Sequence, residues 1–237
     1  MATASKEEIK RIKTYVITSP PRMEIVQQNW GDQNVEIFEA VYIQKLKNWV
    51  MTSTCKPDSN RLTAGELGCA LSHYLVAKKA VRKRHDFTLI LEDDVERREG
   101  WREDLSSLLG GLDIDVAHLC SWKLPEDYHA HSKNRTIISQ NPRLETGYDE
   151  WGGTVAILYS RKALKVLVSY MENKSLPCTM DGLSSRLSWE DVWGEESLGG
   201  LKIFTTGILE DRFFKGGQHP SGSLIGYNKR RQRKRLR

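Results

Sequence analysis

The chain has 237 residues, 39% of them hydrophobic, enough to bury a substantial core, and no stretch approaches the roughly 20 apolar residues of a membrane span. Its formal charge of +5 suggests an anionic partner, but residues 229–237 alone carry seven of the 36 Lys and Arg, leaving 29 bases against 31 acids elsewhere. A polyanion-binding surface spread over the fold is thereby excluded.

Residues 1–11 are polar and charged with no apolar run, so no secretory leader is visible and a cytoplasmic location is expected. Cys55, Cys69, Cys120 and Cys178 are dispersed, without the C-x-x-C spacing of zinc sites or the density of a disulfide scaffold. Reduced thiols are the simplest account. The expected organisation is a polar segment at 1–11, one α/β domain over 12–227 and a basic, unstructured tail over 228–237. That tail reads either as a solvated terminus or as a contact for an anionic membrane surface, an RNA or a targeting receptor.

In chain order, residues 12–18 are β-branched and aromatic and stop at Ser19-Pro20-Pro21, which predicts a strand closed by a turn. A helix follows over 22–30 and a second strand over 35–41. Thr63-Ala64-Gly65-Glu66 fits a capping box, and Leu67, Ala70, Leu71, Tyr74, Ala77 and Val81 continue at helical spacing. His73 lies beside that apolar stripe, where a histidine is ordinarily a satisfied core residue. Residues 87–91 form a short continuous apolar run, the pattern of a strand covered on both faces. Further strands are predicted at 116–120 and 154–159, and Ser160 can cap a helix bearing Ala163, Leu164, Leu167, Val168 and Met171. Residues 121–151 are polar and weakly periodic, as in a lid or acceptor-binding loop.

The apolar run ends in three consecutive acids, Glu92-Asp93-Asp94. Adjacent carboxylates repel, so a fold tolerates them at a strand end only where water or a cation takes up the charge. A solvated turn and a divalent metal site are the two readings. The carboxyl end of a buried strand is where open α/β sheets bind ligands, which favours the metal.

Residues 62–73, Leu-Thr-Ala-Gly-Glu-Leu-Gly-Cys-Ala-Leu-Ser-His, followed by Leu89-Ile90-Leu91-Glu92-Asp93-Asp94-Val95, resemble glycosyltransferase family 25. Residues 15–22, Phe38 to Val41, Gly153 to Ala156, Ser160 to Ala163 and the Pro177 to Asp181 region are similar to later and earlier parts of the same pattern. The Pro and Asp of that last region stand two residues further apart than in the family, and the cation motif has Glu92 where a D-x-D motif begins with Asp.

The resemblance implies a GT-A fold, a Rossmann-like mixed sheet with helices on both faces. It also implies a nucleotide-sugar donor, usually with Mn²⁺ or Mg²⁺, and an inverting transfer to a glycan or glycoconjugate acceptor. Galactose or glucose carried on UDP is the favoured donor. On this reading Asp94 is the metal ligand, Asp93 a second ligand or an orienting group, and Glu92 reaches the ribose or an outer-shell water. His219 is the candidate ligand from the C-terminal region. Thr18, Arg22, Glu66 and Ser72 fall on the donor side, although Glu66 has its own place in the capping box. Hard oxygen donors suit either ion.

Inversion needs a general base for the acceptor hydroxyl, and Asp181 is the candidate, with Glu150, Glu190, Asp191 and Glu210 as alternatives. Trp151-Gly152-Gly153 suits either sugar stacking or a tight turn, and Trp189 and Trp193 either line an acceptor groove or pack a helix. Two other functions compete: a metal-dependent phosphohydrolase or nucleotidyltransferase, and a noncatalytic nucleotide-sugar-binding module. No P-loop, H-E-x-x-H or C-x-x-C motif supports the former.

Overall fold

The fold grows from strand β1 (Ile12–Thr18), whose β-branched and aromatic residues suit a strand buried on both faces. The structure, a computed structural model, describes residues 12–31, 35–42, 56–57, 64–111, 115–119, 155–173, 175–176, 180, 203–205 and 214–215. After β1 a single 3₁₀ turn (Pro20–Arg22) leads into helix α1 (Met23–Trp30), and β2 (Val35–Glu39) returns parallel to β1. The long helix α2 (Ala64–Lys83) then crosses to β4 (Phe87–Glu92), which pairs with the other edge of β1, also in parallel. Between β2 and α2 lies the two-residue strand β3 (Lys56–Pro57).

The remaining elements are β5 (Glu96–Arg97), α3 (Trp101–Gly111), β6 (Val116–His118), β7 (Ala156–Ser160), α4 (Arg161–Asn173), β8 (Ser175–Leu176), β9 (Ile203–Thr205) and β10 (Phe214–Lys215). The main sheet runs β2-β1-β4-β7-β6-β9, with β7 antiparallel to both of its neighbours. It is the mixed α/β sheet expected. Two small ribbons stand apart, β3 with β8 and β5 with β10.

Side-chain alternation splits the core into two layers. Tyr15, Ile17, Ile90, Val116, Ile157 and Tyr159 face α2 and α4, while Val16, Leu89, Leu91, Ala117, Ala156 and Leu158 face α1 and α3. Helices therefore cover both faces, and this explains the unbroken apolar run in β4. On one face Tyr74 and Lys78 of α2 both donate to Glu172 of α4, at 2.9 and 2.8 Å. On the other, Trp30 and Trp101 meet edge to face.

The predicted elements are present with shifted ends. The β4 strand extends to Glu92, one residue into the acids, and Val35–Glu39 is shorter than 35–41. The predicted strand at 116–120 is Val116–His118, and that at 154–159 is Ala156–Ser160. Ser160 does cap α4: its Oγ accepts the Ala163 N–H at 3.2 Å and donates to Asp115 at 2.8 Å. Helix α2 begins at Ala64 as the capping box anticipates, although Thr63 lies outside the described residues. No helix among the described residues is long and apolar enough to cross a membrane.

Leu89 is fully buried in β4, whereas Ile25 of α1 is 46% exposed. Urea unfolding of Leu89→Ala should show a loss of about 2 to 5 kcal/mol, and Ile25→Ala a change within about 0.5 kcal/mol. Similar losses for the two would contradict this placement of the core.

Candidate functional site

Since β1 connects to β2 on one side and to β4 on the other, the chain reverses its direction of winding between β1 and β4. The connections leaving β1 and β4 run to opposite sides, a topological switch point of the kind beside which open α/β sheets bind ligands. Residues 18–22 and 92–94 line that edge, brought together by the register that pairs Ile17 with Glu92.

The three acids, adjacent in sequence, have different partners. Asp93 is taken up entirely by the turn after β1. Arg22 Nη1 donates to its Oδ1 at 2.6 Å, and Thr18 Oγ1 and the Ser19 N–H donate to its Oδ2 at 3.0 and 3.1 Å. The Arg22 and Asp93 side chains are only 10% and 12% exposed, so this charge-assisted pair fixes the two strand ends in a low-dielectric setting. Both carboxylate oxygens of Asp93 are thus engaged by residues 18–22 at the end of β1.

Glu92 is turned toward α2. It accepts the Cys69 Sγ–H at 3.4 Å, and its Oε1 stands 3.7 Å from His73 Nε2. His73 is fully buried with neither ring nitrogen hydrogen-bonded. Ser72 is also fully buried: its Oγ donates to the Gly68 carbonyl at 2.7 Å and accepts the Val41 N–H at 2.8 Å. It ties the segment after β2 to α2. Glu66 sits in the first turn of α2.

Asp94 has the least compensated charge of the three. Its Oδ1 is buried with no hydrogen-bond partner. Burial pushes its carboxyl up to about 7, the charges on Glu92 and Asp93 add to the push, and its own backbone N–H and Arg22 oppose it. An orphaned buried carboxylate oxygen beside two further acids fits a hard divalent cation such as Mn²⁺ or Mg²⁺. The antiparallel pairing of β5 with β10 brings residues 214–215 against 96–97, just past the acids.

His219 itself lies outside the described residues, as do Asp181, Glu150, Glu190, Asp191, Glu210, Trp151 to Gly153, Trp189, Trp193, the polar loop and the basic tail. Met180, beside Asp181, is buried in the core layer under α2 and α4.

Over residues 12–181 the chain matches the family described as glycosyltransferase family 25 (LPS biosynthesis protein). The chain belongs to glycosyltransferase family 25. Among its family 25 relatives is procollagen galactosyltransferase 2 of Mus musculus, 37% identical over 99 residues that cover 38% of this chain and 15% of that protein. A putative glycosyltransferase of Haemophilus influenzae is 26% identical over 178 residues, 71% of this chain and 61% of its own length. The lipooligosaccharide biosynthesis protein lex-1 of the same organism is 30% identical over 122 residues, 49% of this chain and 40% of that protein. Among solved structures, S. aureus TarS 1-349 in complex with UDP-GlcNAc superposes with a TM-score of 0.48 at 12% identity, covering 90% of this chain and 62% of that one.

The raised Asp94 carboxyl has a sign that stability measurements can read. The folded state holds this proton more tightly than the unfolded chain does, so the contribution of Asp94 to the stability of the metal-free protein falls as pH rises from about 4 to about 7. Asp94→Asn removes that loss. Without metal its Tm at pH 8 should exceed the wild type by several degrees, with the gap closing toward pH 4. An equal gap at both pH values would contradict the assignment.

Proposed function

We propose that this family 25 chain is a metal-dependent, inverting hexosyltransferase. It moves galactose or glucose from a UDP-linked donor to a hydroxyl of a glycan or glycoconjugate. The observation that carries the reading is the buried Asp94 oxygen without a hydrogen-bond partner at the β1/β4 switch point. A carboxylate placed there to hold a cation that neutralises a diphosphate is what a nucleotide-sugar transferase needs.

Asp94 would hold Mn²⁺ or Mg²⁺, with His219 as a further ligand from the C-terminal region. The ion, when bound, supplies positive charge to the diphosphate as it leaves. Asp93 keeps Asp94 in place by fastening the acidic turn to Arg22, Thr18 and Ser19. A carboxylate so engaged leaves its neighbour's position fixed before ligand arrives, which is preorganisation in the sense that limits the reorganisation cost of catalysis. Asp181 is the base that accepts the proton of the attacking hydroxyl, so that the new bond forms on the face opposite the leaving diphosphate. The names of the relatives support the class: one is a galactosyltransferase and another acts in lipooligosaccharide biosynthesis.

A panel of nucleotide sugars, assayed with Mn²⁺ and with chelator, tests donor, cofactor and class together. UDP-galactose or UDP-glucose should give Mn²⁺-dependent UDP release that rises when a glycan acceptor is added. Asp94→Asn should cut turnover by at least about 100-fold while the protein stays folded. Retained turnover in that variant would overturn the metal assignment. Release of nucleoside monophosphate would point to a phosphohydrolase, and UDP binding without turnover to a binding module.

A further inference from the structure

We infer that Cys69, His73 and Glu92 form a second cation site, one for a borderline-soft divalent ion such as Zn²⁺, separate from the hard-oxygen position at Asp94. The inference does not rest on the transferase reading. Cys69 and His73 stand four residues apart on α2 and so share one face of the helix, and Glu92 meets them from the end of β4. Cys69 Sγ, a His73 ring nitrogen and a Glu92 carboxylate oxygen all lie within 4.8 Å of one another. Sγ to Oε1 is 3.4 Å and Nε2 to Oε1 is 3.7 Å. A tetrahedral zinc ion, with bonds of about 2.3 Å to sulfur and about 2.0 to 2.2 Å to nitrogen and oxygen, sets its ligands about 3.3 to 3.6 Å apart. The two pairs with Glu92 already stand near ligating separations, and Cys69 and His73, within 4.8 Å of each other, would close to the same range around an ion, with a fourth position left for water.

The independent observation is His73. A fully buried imidazole with neither nitrogen hydrogen-bonded, and a carboxylate oxygen 3.7 Å from its Nε2, is a group that native folds rarely keep without a ligand or other use. Its Nε2 faces the oxygen that the Cys69 thiol also addresses. Sulfur, imidazole and carboxylate together are the donor set of zinc or cobalt, whereas Mg²⁺ and Mn²⁺ favour oxygen-rich sites without a thiolate. On binding, the thiol gives up its proton to solvent and the thiolate becomes the ligand, so the site closes α2 onto the end of β4.

The test uses the full chain, stripped of metal and kept reduced with a phosphine, without nucleotide, and titrated with Co²⁺. One equivalent should produce a thiolate-to-cobalt absorption band in the near ultraviolet, displaced by Zn²⁺ and untouched by excess Mg²⁺. Zn²⁺ should also raise Tm, as a ligand that binds only the folded state must. Cys69→Ser should abolish the band, Glu92→Gln should weaken Co²⁺ binding at least tenfold, and Asp94→Asn should leave the band in place. No band, or a band that survives in Cys69→Ser and so belongs to Cys55, Cys120 or Cys178, would overturn the inference. Loss of the band in Asp94→Asn would overturn the separation of the two sites. Because the readout is a spectrum without donor or acceptor, its failure is distinct from a failure of the transferase reading.

Discussion

The ion pair between Arg22 and Asp93 decides what the acidic turn can be. Three adjacent carboxylates cannot all be held at one strand end without compensation, and this pair removes one from the account by sharing it with Thr18 and the Ser19 N–H. It also joins the ends of β1 and β4, the two parallel strands that flank the topological switch point. Because both partners are nearly buried, deleting either would strand a charge in a low-dielectric place, a larger penalty than the pair's own net worth. The turn is thus held by a contact that needs no ligand.

With Asp93 fixed, its neighbours go to opposite tasks. Glu92, still within β4, faces α2 and the pair Cys69 and His73. Asp94, beyond the strand, keeps a buried oxygen without a partner and a carboxyl pushed up to about 7. On the proposed reading one acidic turn serves two ions of different chemistry, a hard one at the donor diphosphate and a softer one that ties the strand to the helix. The distinction follows from donor type, since among the described residues the Cys69 thiol and the His73 imidazole stand beside Glu92.

Much of the sheet was legible in the sequence because its strands are buried on both faces and read as continuous apolar runs, as in residues 87–91. Helix α4 was legible too, through the Ser160 cap and the apolar spacing after it. Helix α3 was not anticipated, although Trp101, Leu105 and Leu109 recur every four residues and Glu103 and Asp104 mark its first turn. The two-residue strands β3, β5, β8 and β10 are set by pairing with distant segments and leave no local pattern to read. Within the site, sequence located the acids but not their directions, since adjacent residues at a strand end diverge according to which loops meet them. Dispersed spacing made Cys69 look inert; its partner His73 was one helical turn away, and only the fold supplies Glu92.

The central claim is that Asp94, not Asp93, is the residue left for the hard cation. Mn²⁺ affinity, read from the electron paramagnetic resonance signal of the free ion with UDP present, tests it most directly. The account predicts that Asp94→Asn weakens Mn²⁺ binding at least tenfold, and more than Asp93→Asn does among variants that remain folded. Unchanged Mn²⁺ affinity in Asp94→Asn, or a greater loss in a folded Asp93→Asn, would contradict it.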